Sequence, residues 1–315
     1  MVKPLNKASG VTSGTTLAGG GKLTPEQSDR FITTVIENST FLKKVQHYKM
    51  ASPERYIEML NIGKRMFRKA GEGETPADSA SVSTDRRKLS TVEIILPIDI
   101  SYSFLEDNIE KTKAEQTILD AIAKQFANDT EDLGWNGDES NENDFVKINN
   151  GWLAISRADS KTNKVDLTAV PDSPMKIMKA MLDAMPEKFK TKDIEFVCSS
   201  EFKDAYIEEL TARNTALGDK ALTEAADIRY KGYLLNPRPY LSMYDIMLAN
   251  PLNIAYGVQR DVSIEFVKNP RKRMIEYTIT ARTDYEYAIA EAIVVTTGTP
   301  AAKIPVEGSE DPVIS

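Results

Sequence analysis

Few side chains in this 315-residue chain are of the types that carry covalent or metal chemistry. There is one histidine, His47, and one cysteine, Cys198. A single histidine excludes a multi-histidine metal site, and a single cysteine excludes an intramolecular disulfide framework and a cysteine-rich zinc site. A Ser-His-Asp triad could be built only around His47. We interpret His47 as a structural residue, and Cys198, at the end of a predicted core strand, as a small buried hydrophobe.

The common nucleotide-binding and metalloprotease motifs are missing from the sequence. There is no GxxxxGK[ST] loop, no GxGxxG after a strand and no HExxH. Residues 19–22, Gly-Gly-Gly-Lys, look like a phosphate loop, but no strand precedes them, so we favour an unstructured leader. The sequence therefore predicts no catalytic residue and no cofactor. An α/β enzyme built around residues 170–250 stays open as an alternative, because motifs can be missed.

The densest group of candidate metal ligands is an acidic stretch at residues 129–144, which holds seven acids and no base. Within it Asp138, Ser140, Glu142 and Asp144 alternate as oxygen donors do in calcium loops. The stretch lacks the glycine at the sixth position and the glutamate at the twelfth. We therefore expect a solvated or interface loop and keep calcium as the alternative.

Composition excludes several classes of protein. Hydrophobic residues make up 41% of the chain and charged residues 28%, so disorder is excluded for most of it. No apolar run is long enough for a membrane span, and the first residues lack the apolar core of a secretory signal. The net charge of −7 argues against a dedicated nucleic-acid binder. The length predicts about two domains.

The first half of the sequence predicts a leader, a helix, a hairpin and a second helix. Residues 1–23 carry lysines but no acid and should be disordered by themselves. Thr24 is a helix N-cap followed by Pro25 at the first helical position. Between residues 55 and 100, basic strand-forming flanks enclose a polar Gly- and Pro-containing stretch, which predicts a long hairpin that needs a partner surface. A long helix is predicted over residues 104–128.

The second half predicts a compact α/β region and a closing sheet. A helix begins at Ser173-Pro174, and we interpret its methionine stripe as core rather than as an adaptable binding face. A strand over residues 193–198 leads into a helix from Ser199 or Ser200. Closing strands are predicted at residues 262–267, 274–282 and 287–295.

The order of these parts resembles that of the major capsid proteins of tailed bacteriophages, which have the Hong Kong 97-type fold. The most specific segment is the end of the fold. There Arg282 and Asp284 precede a last strand with small alanines, which is similar to the family's closing segment. The resemblance covers nearly the whole chain and rests on the order of elements more than on any one motif.

The resemblance implies an α+β fold with an N-terminal arm, an extended β-hairpin loop, a spine helix with a β-sheet peripheral domain, and an α/β axial domain. The implied divisions are an arm at 1–23, a helix and connector at 24–54, the hairpin loop at 55–100, the peripheral domain at 101–169 and 256–298, the axial domain at 170–255 and a tail at 299–315.

The resemblance also implies a structural, non-enzymatic role. Copies of the chain would form pentamers and hexamers and then the icosahedral head shell, which encloses double-stranded DNA without sequence-specific binding. The expected location is the virion, after assembly in the bacterial host cytoplasm, with no membrane contact. Portal, scaffolding and decoration proteins stay open as further partners.

Contacts between subunits are expected where the basic hairpin flanks meet acidic surface of a neighbour. The candidate residues are Lys64, Arg65, Arg68, Lys69, Arg86, Arg87, Lys88, Glu131, Asp132, Asp138, Glu139, Glu142 and Asp144.

Other functions stay open from sequence alone. An encapsulin-type nanocompartment would share the fold but enclose protein cargo, and a phage tail or tube protein would be mostly β. The hairpin flanks could touch nucleic acid, although few aromatic residues interleave them. Lys69 and Asn269 could form an isopeptide between subunits, which would need a nearby buried carboxylate with a raised pKa.

Overall fold

The computed structural model describes residues 21–22, 25–62, 82–103, 111–211, 228–259 and 263–300. Contacts divide the described chain into two compact units. The first holds the residues up to Trp152 together with Ile254–Ala288, and the second holds Leu153–Asn253 together with the residues from Ile289 onward. The predicted α+β class is confirmed.

The described residues form five α-helices and fourteen strands. The helices are α1 (Pro25–Asn38), α2 (Lys111–Asn136), α3 (Trp152–Ala158), α4 (Pro174–Ala184) and α5 (Ser200–Thr211). The strands are β1 (Gly21–Lys22), β2 (Gln46–Met50), β3 (Glu54–Ile62), β4 (Val82–Ser90), β5 (Val92–Ser101), β6 (Asn163–Asp166), β7 (Glu195–Ser199), β8 (Arg229–Tyr230), β9 (Tyr233–Arg238), β10 (Met247–Ala249), β11 (Ile254–Gln259), β12 (Ser263–Asn269), β13 (Met274–Tyr287) and β14 (Val294–Thr297).

The long strand β13 organises the sheet of the first unit. It pairs antiparallel with β12 through its first half, with β11 through its last residues, and with β5 from Met274 to Thr283. Strand β2 adds to β11 in parallel, and β1 adds to the outer edge of β12. The predicted closing strands at 262–267 and 274–282 therefore correspond to β12 and β13 of this sheet. The third, predicted over residues 287–295, is wrong: β13 ends at Tyr287, and β14 (Val294–Thr297) pairs in the sheet of the second unit.

The predicted hairpin is present at its root. Strands β3 and β4 pair antiparallel from Glu54 opposite Ser90 to Ile62 opposite Val82. Strand β5 leaves the hairpin and joins β13 instead. Its alternate residues Ile94, Leu96, Ile98 and Ile100 are less exposed than the residues between them, which is typical of a strand with one face packed.

The spine helix ends later than the sequence predicted. Helix α2 continues through Asn136, whereas we expected a loop from residue 129. The buried positions Ala127, Thr130 and Gly134 continue the inward-facing stripe at helical spacing, so the packing carries the helix through an acid-rich stretch. Residues 104–110 of the predicted helix lie outside the described residues.

Aromatic side chains fix helix α2 against β13 in the first unit. The ring centroids of Trp135 and Trp152 are 5.0 Å apart, and those of Trp152 and Tyr285 are 5.2 Å apart, both edge to face. The hydroxyl of Tyr285 donates a hydrogen bond of 2.8 Å to the carbonyl of Thr130, and Trp152 Nε1 donates to the carbonyl of Ala255. These contacts hold the end of the helix on the sheet.

The second unit is a mixed sheet of order β6-β14-β10-β7-β9-β8 with helices α4 and α5 packed against it. It holds Leu153–Asn253 together with the residues from Ile289 onward, and within it β6 pairs in parallel with β14. Met178 and Met181 are fully buried, which agrees with a core role for the methionine stripe. Cys198 is fully buried as predicted. No helix in the described ranges is long and apolar enough to cross a membrane.

Candidate assembly surfaces

The root of the hairpin is held by a small apolar cluster. Met50, Ile57, Leu89 and Ala255 bury their side chains together. A Cβ on Gly257 would come within 3.2 Å of Leu89, so the backbone of β11 approaches the hairpin closely. The hairpin therefore leaves the sheet from a packed base.

On the outer face of the hairpin, basic side chains pair with acids of the same chain. Arg86 Nε lies 3.3 Å from Glu58 Oε1, and Lys88 Nζ lies 2.6 Å from Glu54 Oε1. Both pairs are well exposed, and the bond to Glu54 raises the pKa of Lys88. Exposed pairs of this kind contribute little to stability, about 1 kcal/mol or less.

On the inner face, Arg87 contacts the closing strand. Its guanidinium lies 3.6 Å from Glu286 and 4.5 Å from the ring centre of Tyr287. Arg86, Arg87 and Lys88 therefore each meet a carboxylate of their own chain, and their expected contact with a neighbouring copy stays a prediction. The other four basic candidates, Lys64, Arg65, Arg68 and Lys69, lie outside the described residues.

Asp284 ties the hairpin to the first unit. Its carboxylate accepts hydrogen bonds from the backbone N–H of Ser90 at 2.6 Å and from Asn149 Nδ2 at 3.1 Å. Burial raises the pKa of Asp284, and these hydrogen bonds oppose the rise. Two residues earlier on β13, Arg282 Nη2 lies 2.8 Å from Glu93 of β5.

Glu131 is an internal residue, and this corrects its assignment as an exposed contact. It lies on α2 and is only 3% exposed. Its carboxylate accepts hydrogen bonds from Ser39 Oγ at 2.6 Å and from the backbone N–H of Phe41 at 3.2 Å. The signal that sequence reasoning missed is its helical spacing from the buried Ala127.

The remaining acidic candidates divide between the helix end and an exposed loop. Asp132 is half-buried on α2, where it accepts a hydrogen bond from Asn136 and burial raises its pKa. Glu139, Glu142 and Asp144 are exposed. We call residues 138–144 the acidic loop.

The acidic loop is ordered by hydrogen bonds inside it. Asp138 Oδ1 accepts from the backbone N–H and the hydroxyl of Ser140, and these bonds lower the pKa of Asp138. Asp144 forms an ion pair with Lys147, which lowers the pKa of Asp144. Within the described ranges no cluster of three or more His, Cys, Asp or Glu side chains could hold a metal ion.

The end of β12 and the turn that joins it to β13 form a basic surface that sequence reasoning did not select. Lys268, Arg271, Lys272 and Arg273 stand within six residues and are all exposed. We call them the basic turn. The sequence feature that could have pointed to this surface is the presence of four cationic residues in so short a segment.

Asn269 lies in the same turn, and its neighbour bears on the isopeptide hypothesis. Asn269 Nδ2 donates to Glu276 Oε1 at 3.3 Å, and Lys272 lies 3.1 Å from the same oxygen. The hydrogen bond and charge of Lys272 lower the pKa of Glu276. Isopeptide formation would need a carboxylate with a raised pKa, whereas the pKa of Glu276 is shifted in the opposite direction.

His47 has the surroundings of a structural residue. It is half-buried on β2, with its ring edge to face with Tyr256 at 6.4 Å. Burial lowers its pKa, so it is neutral at physiological pH.

The chain is similar to a curated protein over nearly its whole length. It is 32% identical over 305 residues to the "Putative prophage capsid protein YqbE" of Bacillus subtilis (strain 168), covering 92% of this chain and 96% of the relative. No family model matches the sequence.

Solved structures share the fold at low sequence identity. A chain of the satellite phage P4 procapsid including size determination (Sid) protein matches with a TM-score of 0.68 at 16% identity, over 92% of this chain and 97% of that chain. The capsid of the native GTA particle matches with a TM-score of 0.55 at 17% identity, over 85% of this chain and 91% of that chain. The virus-like particle from Pyrococcus furiosus matches with a TM-score of 0.53 at 10% identity, over 86% of this chain and 98% of that chain. Together with the near full-length likeness to a prophage capsid protein, this fold shows that the chain belongs to the tailed-bacteriophage major capsid protein family, with the Hong Kong 97-type fold.

Proposed function

We propose that this chain is the shell protein of a phage head, with copies that self-assemble into a closed icosahedral container for a double-stranded DNA genome. The observation that carries the proposal is the 32% identity to a prophage capsid protein over 96% of that protein's length. The role is structural. We infer no enzymatic activity, because the work of such a protein is done by contacts between copies.

Shells built from pentamers and hexamers of one chain need heterologous contacts, in which different patches of each copy meet. The hairpin supports this reading, because two strands alone are marginal and the packing of this pair that the structure describes is at its root. We propose that its outer face, with Arg86 and Lys88, and its distal cations lie at subunit contacts. The distal cations are Lys64, Arg65, Arg68 and Lys69.

The further partners belong to the proposal as well. A net charge of −7 favours a shell that holds DNA without gripping its phosphates. Assembly would take place in the bacterial host cytoplasm before the protein becomes part of the virion. Portal, scaffolding and decoration proteins would bind the assembled shell or its precursor.

The test is to express the full chain in bacteria and examine it by sedimentation velocity and negative-stain electron microscopy. Closed particles are expected. A sharp monomer at all concentrations and ionic strengths, with and without co-expressed phage proteins, would contradict the proposal. Particles from an induced lysogen should contain nuclease-protected double-stranded DNA. Particles filled with one host enzyme would instead identify an encapsulin-type compartment.

A further inference from the structure

Three of the four cations of the basic turn have no acidic partner among the described residues. Lys272 pairs with Glu276. In the part of the chain that the structure describes, Lys268, Arg271 and Arg273 form no ion pair, although all three are exposed. This differs from the hairpin root, where Arg86, Arg87 and Lys88 each meet a carboxylate of their own chain.

The basic turn is also held in one conformation. The N–H of Arg273 donates to the carbonyl of Pro270 at 3.3 Å, and the carbonyl of Arg273 accepts from the N–H of Tyr102 at 2.9 Å. The N–H of Lys272 donates to Asn269 Oδ1. A fixed backbone reduces the ordering entropy that a contact must overcome, so the turn presents its charges as a preorganised surface.

The acidic loop is the complementary surface, and it too is anchored. The N–H of Asp138 donates to the carbonyl of Val146 at 2.9 Å, and the N–H of Glu139 donates to Asn150 Oδ1 at 3.0 Å. The neighbouring Asn149 donates to Asp284. The acidic loop therefore lies at the Asp284 end of β13.

These two surfaces lie at opposite ends of one strand. The basic turn immediately precedes Met274, and ten residues of extended chain separate Met274 from Asp284, about 33 Å at the rise of a β-strand. This distance is about four Debye lengths at physiological salt, so charges on the two surfaces do not neutralise each other within one copy. Opposite charge at opposite ends suits head-to-tail association.

We propose that the basic turn of one copy binds the acidic loop of a second copy. The contact is heterologous, so repeating it generates rings or larger closed assemblies rather than isolated dimers. The inference rests on the proposed function, since it assumes that copies of this chain associate. It assigns the contact to Lys268, Arg271 and Arg273 on one side and to Glu139, Glu142 and Asp144 on the other.

The test uses two charge-reversed full-length chains. The turn variant carries Lys268→Glu, Arg271→Glu and Arg273→Glu, and the loop variant carries Glu139→Lys, Glu142→Lys and Asp144→Lys. Thermal unfolding of the unassembled chains first shows whether both fold. Each variant alone should need a protein concentration at least about tenfold higher than the wild type to form particles, because every new contact is repulsive.

A chain with all six substitutions supplies the decisive result. Its acidic turn meets the basic loop of any neighbouring copy, in rings of five as well as of six, so particles should reappear near the wild-type concentration. A control chain with Lys176→Glu, Lys179→Glu and Lys192→Glu has the same change in charge as the turn variant on exposed residues of the second unit, and it should assemble normally.

Two outcomes would overturn the inference while leaving the proposed function standing. One is normal assembly of either folded variant by itself. The other is failure of the folded chain with all six substitutions to assemble. If the wild-type chain forms no particles under any condition, it is the proposed function that fails.

Discussion

Asp284 Oδ2 accepts a 2.6 Å hydrogen bond from the backbone N–H of Ser90, the last residue of β4. The pairing of β5 with β13 begins at Val92, opposite Thr283. Ser90, two residues before Val92, lies outside this pairing, and its N–H donates to the side chain of Asp284 instead. The Asp284 side chain thus extends the hydrogen bonding between the two strands by one residue pair, and it fixes the point at which the hairpin leaves the sheet.

Removing this carboxylate should destabilise the first unit. Asp284→Ala leaves the buried Asn149 Nδ2 and the part-buried Ser90 N–H without their acceptor, and an unsatisfied buried donor costs about 1–3 kcal/mol. Urea unfolding of the unassembled chain measures the loss. Asp99→Ala, on an exposed position of β5, should change the unfolding free energy by less than about 0.5 kcal/mol. Equal losses in both variants would contradict the anchoring role.

The pH dependence of stability should report the same residue. Because the pKa of Asp284 is raised in the folded protein, the folded state holds this proton more tightly than the unfolded state does. The contribution of Asp284 to the free energy of unfolding is therefore largest below the pKa of an aspartate in the unfolded chain, about 4. It falls as the pH rises through the pKa that Asp284 has in the folded protein. Asp284→Asn removes that slope. The difference in unfolding free energy, wild type minus Asp284→Asn, should decrease from pH 4 to pH 7, and an increase would show that the sign is wrong.

The sequence predicted the elements of this fold better than the partners of its charges. Apolar periodicity located β12 and β13 and the helix that begins at Pro174, because local spacing encodes which face is buried. It did not show that Glu131 is internal, since that depends on Ser39, a residue 92 positions earlier. The partners of Arg86 and Lys88 were missed for a similar reason, because strand register decides which acids stand opposite.

Glu131 should be important for the junction between α1 and α2. Glu131→Ala leaves the Ser39 hydroxyl and the Phe41 N–H without their acceptor in a buried site. We expect a loss of about 2–4 kcal/mol in the unfolding free energy, since the lost hydrogen bonds involve a charged group. Glu131→Gln keeps one carbonyl oxygen and should lose less. Glu142→Ala, on the exposed loop, serves as the control and should behave like the wild type.

Gly151 is a position where any side chain would collide with backbone. A Cβ there would lie 2.6 Å from the carbonyl oxygen of Gly134 and 2.7 Å from that of Leu133, at the end of α2. Gly151→Ala should therefore lower the unfolding free energy by about 3 kcal/mol, because backbone atoms must move. Gly232 serves as the comparison that isolates backbone strain from collision. Its φ is +92°, which an L-residue rarely adopts, but no atom lies within 4 Å of an added Cβ. Gly232→Ala should cost about 1 kcal/mol. A smaller loss at Gly151 than at Gly232 would contradict the close packing.

Cys198 should be inert to thiol reagents until the second unit opens. Its side chain is fully buried on β7, and burial raises the pKa of the thiol to about 12, so almost no thiolate exists at pH 8. We expect an aromatic disulfide reagent to label the native chain far more slowly than the chain in concentrated guanidinium chloride. The native rate should rise with sub-denaturing urea, because labelling then requires local opening of the unit. Met181→Ala, which leaves a cavity in the same core, should accelerate native labelling, whereas Lys192→Ala on the exposed surface should not. Native labelling at the rate of the denatured chain would show that Cys198 is reached from solvent without opening, which is incompatible with its place in this core.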